Sequence, residues 1–139
     1  MHRVVRRGGT VTAAVWDHYS GLPHIRLVWD VIAVLDRTIE RPLFRSLTAP
    51  DELARTWREI GFTDVAEADL LVRIEFSEFA DYRLSFTTEG PTAQFLAGLP
   101  ASAQREVMDH VQRAYLGNRP DGPRSFASVA RACRGTVPA

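Results

Sequence analysis

Three stretches of the 139-residue chain predict an α/β fold. Residues 10–16, Thr10-Val11-Thr12-Ala13-Ala14-Val15-Trp16, form a short run of β-branched and small side chains directly after a glycine pair. A run of that length, bounded by a turn signal, reads as a strand buried on both faces of a covered parallel sheet. Residues 24–37 repeat apolar side chains at helical spacing, and residues 66–76 alternate apolar and polar ones with the period of a half-buried strand.

Taken in order, residues 1–7 read as the tail of a helix, and Met1 as an internal methionine of a longer ancestral frame. Gly8-Gly9 permits a tight turn at positive φ. The first strand then ends in Trp16-Asp17-His18-Tyr19, which brings aromatic surface and titratable groups to its carboxyl end. Ligands of open α/β sheets sit outside the carboxyl ends of strands. Ser20-Gly21-Leu22-Pro23 is a turn. In the helix at 24–37, Ile25, Val28, Trp29, Ile32 and Leu35 form one apolar face, and Leu27, Val31 and Val34 carry it well round the cylinder. Such a helix is expected to be covered on more than one side.

Residues 42–47 are a connector. A second helix is expected from Thr48, with Asp51 three residues on as a variant capping box, Pro50 in the first turn and Gly61 past the end. Leu53, Ala54, Trp57 and Ile60 are its buried stripe. The alternating strand at 66–76 has one wet face and belongs near a sheet edge. Pro91 to Ala97 reads as a short helix, followed by a longer one over residues 102–116 that stops at Gly117-Asn118. After the turn-rich residues 119–123, residues 125–134 read as the last strand.

Composition bounds the function. A hydrophobic share of 45% and a charged share of 24% describe an ordinary globular domain, and the chain is expected to be a single one, 1–139. The net charge is zero and the 17 basic residues, all arginine, are scattered, so no nucleic-acid or anionic-membrane partner is expected. One cysteine fits a reducing, cytoplasmic compartment. No signal-peptide pattern or membrane-length apolar run is present. His24 reads as a helix start and His110 as an outer-face residue; neither is spaced with carboxylates as a metal site, so no metal is expected. Cys133 has no evident histidine partner and there is no Gly-x-Ser-x-Gly, which argues against nucleophilic catalysis.

Arg3-Val4-Val5-Arg6-Arg7-Gly8-Gly9-Thr10-Val11, followed by Val15-Trp16-Asp17, resembles the fifth strand and preceding turn of a class I S-adenosylmethionine-dependent methyltransferase, with Arg7 where the family usually has proline. Residues 48–62, with their Arg-Glu-Ile-Gly-Phe ending, resemble the helix before the family's sixth strand. Phe79, Asp81 and Tyr82, in Phe-x-x-Phe-x-Asp-Tyr, then Gly90-Pro91, resemble an insertion that forms a helical cap over the substrate, here residues 77–117. Residues 125–134 resemble the seventh, antiparallel strand, inserted beside the fifth.

The resemblance covers the second half of the family's domain. It implies a partial Rossmann-like fold: a three-stranded mixed sheet of strands 10–16, 66–76 and 125–134, flanking helices and the cap. The family's fifth, seventh and sixth strands lie together at one sheet edge. The implied activity is methyl transfer from S-adenosylmethionine to a small-molecule acceptor. The family grips its cofactor at a Gly-rich turn after the first strand. This chain has nine glycines but no Gly-x-Gly, so no cofactor-binding residue carries over and little or no activity is expected of it as a truncated domain.

Asp17 and His18 are the candidates for a catalytic base. Trp16, Asp17, Tyr19, Phe79 and Tyr82 are the candidate substrate-binding residues. Against these stand the structural readings: loop capping for Asp17, and core packing for the aromatics. The competing function is a non-enzymatic α/β binding or oligomerisation module derived from a methyltransferase, a homodimer formed through the exposed edge of the first strand.

Overall fold

The computed structural model describes residues 4–18, 20–36, 38–39 and 46–139. Tyr19, Arg37 and the connector residues 42–45 lie outside them. The order of elements is β1 (Thr10–Trp16), α1 (Pro23–Leu35), α2 (Glu52–Glu59), β2 (Thr63–Phe76), α3 (Phe79–Thr87), α4 (Gly90–Ala97), α5 (Ala101–Leu116) and β3 (Arg124–Thr136). The architecture is α/β, with one open three-stranded sheet of order β1-β3-β2 and flanking helices.

The sheet is antiparallel at each neighbouring pair, which corrects both the mixed sheet and the covered parallel environment expected for the first strand. β1 pairs with β3 from Thr10↔Thr136 to Trp16↔Ala130. β2 also runs against β3: Thr63 Oγ1 donates to the Thr136 carbonyl at 3.4 Å, and Arg73 Nη1 to Ser125 Oγ at 3.2 Å. β1 is not buried on both faces. Val11 is buried and Ala13 and Val15 half-buried, while Thr10, Thr12, Ala14 and Trp16 are exposed. Threonine and alanine hid this alternation in the sequence, because threonine has valine's shape and alanine suits either face. β2 lies at the sheet's other edge, and the expected alternation holds only at Val72, Ile74 and Phe76: Ala66, Ala68 and Leu70, expected on the covered face, are exposed, and Glu67, expected on the wet face, is half-buried.

The chain divides into two compact units. The first comprises Met1–Leu22, Phe44–Val72 and Ala127–Ala139. Its described residues 4–7 form turns and bends rather than the expected helix tail. Gly9 N–H donates to the Arg6 carbonyl, and Gly8 takes φ 73°, a left-handed conformation that glycine adopts without cost. The core here is Val11, Leu53, Ala54, Trp57, Phe62, Cys133 and Val137. Trp57 stacks on Phe62 with ring centroids 5.0 Å apart, and Ile60, expected in the stripe, is exposed.

The expected Thr48 capping box does not form. The helix begins at Glu52, and Asp51 sits before it at φ 59°. Its free N–H groups are met from a neighbouring element instead: the Glu67 carboxylate of β2 accepts from the N–H of Asp51 at 2.9 Å and of Ala54 at 3.2 Å. A carboxylate at a helix N-terminus is also favoured by the helix dipole. That bond crosses 13 to 16 residues of sequence, which is why no local motif announces it.

The second unit comprises Pro23–Leu43 and Arg73–Phe126. Its core gathers Val28, Trp29 and Ile32 of α1 with Phe76, Phe79, Tyr82, Phe86, Leu96, Val107, Val111 and Tyr115. Tyr82 is fully buried; its ring stacks on Tyr115 at 4.8 Å and on Phe126 at 5.8 Å, and its hydroxyl donates to the His24 carbonyl at 2.5 Å. Trp29 Nε1 donates to Thr92 Oγ1 at 3.1 Å and so ties α1 to α4. α1 packs against α5. Its apolar surface is not closed all round as expected, for Val34 is 78% exposed. With Pro23, Leu27, Val31 and Ala114 it lines a groove of about 590 Å³. α4 and α5 match the expected helices, and α5 ends ahead of Gly117 and Asn118.

Candidate functional site

The exit of β1 is organised by an ion pair that residue types alone did not announce. Asp17 is the last rung of the β1–β3 ladder: its N–H donates to the Val129 carbonyl at 3.0 Å. The chain then turns back, with Gly21 N–H on the Asp17 carbonyl at 2.9 Å and Val129 N–H on the Gly21 carbonyl at 2.8 Å. The turn needs glycine at 21: an added Cβ would lie 2.7 Å from the Asp17 Cβ and 2.9 Å from the Val129 Cβ.

That geometry carries the Asp17 side chain inward, to 2% exposure. Oδ1 accepts the Ser20 N–H at 3.0 Å. Oδ2 accepts the Ser20 hydroxyl at 2.8 Å and Arg131 Nη2 at 3.0 Å. Arg131 stands on β3 opposite Val15 and is itself 7% exposed. Its Nη1 donates to Asp69 Oδ1 on β2 at 2.7 Å, and its Nε to the Thr48 carbonyl at 3.4 Å. One guanidinium thus joins the end of β1, the edge strand β2 and the loop before α2. The planar five-donor fork of arginine suits such a junction.

This arrangement fixes what the exit residues can do. Both Asp17 oxygens are engaged, one of them by the Arg131 guanidinium. Asp17 is therefore built as an anchor for the strand exit, in keeping with its loop-capping reading. Trp16, 41% exposed, His18, half-buried with its N–H on the Trp16 carbonyl, and the exposed Ser20 are the described residues here with surface to meet a ligand. Tyr19 lies outside the described residues.

Phe79 and Tyr82 are core residues of the second unit, at 7% and 0% exposure. Phe79 contacts the Tyr82 and Tyr115 rings, and packing accounts for both residues. Burial first, then the neighbouring Tyr115, pushes the Tyr82 hydroxyl pKa far above its ordinary value, so it stays protonated and donates to His24. Asp81 accepts from the Ser77 N–H at 2.9 Å and hydroxyl at 3.2 Å, which makes it a turn cap. His24 is the second residue of α1 and is buried between Phe76 and Phe126; burial lowers its pKa and favours the neutral ring. Cys133 is 1% exposed and burial raises its pKa, so it is held as an unreactive thiol.

The residue missed in the sequence was Arg131. Its signal was available: Ala130-Arg131-Ala132-Cys133 sets an arginine among small side chains on a strand, and a buried arginine requires an acidic partner.

The turn after β1 is not an open glycine cradle for the cofactor that the resemblance implies. A dinucleotide-type cradle uses glycine to let a ligand approach the backbone. At the turn after β1 the space beside Gly21 is filled by Asp17 and Val129 of the chain itself. Among the described residues no group of three or more His, Cys, Asp or Glu side chains is placed to hold a metal ion, and no helix is long and apolar enough to cross a membrane. No protein-family model matches the chain, and no curated protein sequence matches it.

Proposed function

We propose that this chain is the acceptor-side portion of a class I methyltransferase-like fold, serving methyl transfer from S-adenosylmethionine to a small-molecule acceptor. The observation that carries the reading is the strand order β1-β3-β2, with the last strand of the chain central and antiparallel to both neighbours. The resemblance equates β1, β3 and β2 with the family's fifth, seventh and sixth strands, and that is the order in which the family's sheet ends. A chain that meanders would instead place β2 between β1 and β3, because sequential strands usually pair.

In this reading the cofactor supplies the methyl group and is held elsewhere than on the residues described. The chain's own contribution is positioning. Arg131 locks Asp17, and the locked turn fixes where Trp16 and His18 meet the solvent. Methyl transfer depends heavily on such placement, because the acceptor must lie in line with the methyl carbon. His18 is the remaining candidate for a base where the acceptor must lose a proton.

The test is an amide-shift map of the isotope-labelled chain against a panel of methylatable phenols, amines and carboxylic acids. The expected result is a set of shifts centred on Trp16, His18 and Ser20, with the amides of Phe79 and Tyr82 unmoved. Shifts centred elsewhere, or none across the panel, contradict the assignment of the strand exit. The second reading, a non-enzymatic oligomerisation module, is favoured by one specific observation: among the described residues β1 has no strand on its outer side.

A further inference from the structure

We propose that the outer edge of β1 is a homodimer interface, in which β1 pairs antiparallel with β1 of a second copy about a two-fold axis at Ala13. The proposal rests on the backbone of the first unit and on the second reading above, the oligomerisation module, which it deepens.

The register decides which groups face outward. Asp17 N–H donates to the Val129 carbonyl, and Val137 N–H to the Gly9 carbonyl. Hydrogen-bonded pairs alternate along an antiparallel ladder. Val11, Ala13 and Val15 therefore turn their backbone groups toward Gly135, Cys133 and Arg131 of β3. The N–H and carbonyl groups of Thr10, Thr12, Ala14 and Trp16 turn the other way, and among the described residues no strand receives them. The Trp16 carbonyl accepts the His18 N–H and keeps its second lone pair.

These four residues are self-complementary about Ala13. Thr12 comes opposite Ala14 of the second copy and Thr10 opposite Trp16 of the second copy, each as a hydrogen-bonded pair. Val11, Ala13 and Val15 then continue one apolar face across the axis. On the other face the Trp16 ring, 41% exposed in the single chain, gains cover from Thr10 of the second copy.

Charge selects a second β1 over the other available edge. Exposed strand edges are normally guarded by charge, proline or a bulge. Residues 10–16 contain no charged side chain and no proline. β2, the other edge, carries Asp64, Glu67, Asp69 and Glu75 against the single Arg73, so two copies of it repel. Pairing β1 with β1 is isologous and closes at two copies.

Sedimentation equilibrium over a range of concentrations tests this, with Thr12→Pro as the variant. The expected wild-type species has twice the 15.6 kDa mass of one chain. Proline at 12 removes an N–H that faces outward and spares the β3 ladder, so the variant is expected to be a folded monomer. A wild-type chain that stays monomeric, one that grows past the dimer, or a folded Thr12→Pro chain that still dimerises overturns the proposal. Should that variant not fold, the wild-type dimer decides through a proton–proton cross-peak between Val11 Hα and Val15 Hα. Within one chain these residues lie four apart on a strand, about 13 Å, out of reach of such a signal. Across the two-fold they face one another with Cα atoms about 4.5 Å apart. A dimer without that cross-peak rules out the β1 interface.

Discussion

Replacing Arg131 by leucine is expected to lower the stability of the fold by about 3–5 kcal/mol, the range found when one partner of a buried ion pair is removed. The reason lies in what is left behind. Asp17 is 2% exposed, and without the guanidinium only the Ser20 N–H and hydroxyl remain of the contacts described above for its carboxylate. The Thr48 carbonyl also loses the Arg131 donor. Asp69 is different. Its side chain is 59% exposed, so water takes over its solvation and Asp69→Asn is expected to cost no more than about 1 kcal/mol. Urea unfolding of both variants, followed by circular dichroism, checks the contrast. The double variant Asp17→Asn with Arg131→Leu should recover part of the loss, because no charge is stranded. Equal small losses for Arg131→Leu and Asp69→Asn would mean that the ion pair does not anchor the strand exit.

Tyr82→Ala is expected to destabilise the second unit by about 3–5 kcal/mol, as large aromatic truncations in close-packed cores do. The ring is wholly buried and lies between Phe76, Phe86, Tyr115 and Phe126, so its removal leaves a cavity walled by other rings that have little freedom to collapse. Tyr82→Phe separates packing from polarity. It deletes only the donor to the His24 carbonyl and should cost roughly 1 kcal/mol. Denaturant midpoints of the two variants provide the measurement. If Tyr82→Ala were as stable as the wild type, the core described for this unit would be wrong, and the ring would be available for the substrate contact that sequence reasoning allowed.

The extents of the elements were largely legible in the chain. Periodicity located α1, β2, α5 and β3 to within a few residues, although in β2 the covered side changes from Val65 and Glu67 to Val72, Ile74 and Phe76. What periodicity does not carry is the partner of each face. The sequence of the first strand reads as doubly buried since Thr10, Thr12, Ala13 and Ala14 do not declare a side. Thr48 reads as a helix cap in the sequence, whereas the carboxylate that meets the helix start, Glu67, comes from β2. The strand exit was picked out by residue type, but Arg131, 114 residues from Asp17, supplies its anchor. Long-range pairing of charged groups is the part of a site that local patterns cannot report. The aromatics at 79 and 82 follow the packing reading that the sequence also offers: core contacts account for both rings.

In the proposed function, this chain carries an acceptor-side strand exit and no cradle for the methyl donor. Isothermal titration of the purified chain with S-adenosylmethionine and S-adenosylhomocysteine tests that division most directly. The predicted result is no saturable heat up to millimolar ligand. Saturable binding in the micromolar range, about −8 kcal/mol, would contradict it and would place a cofactor site on the residues of this chain.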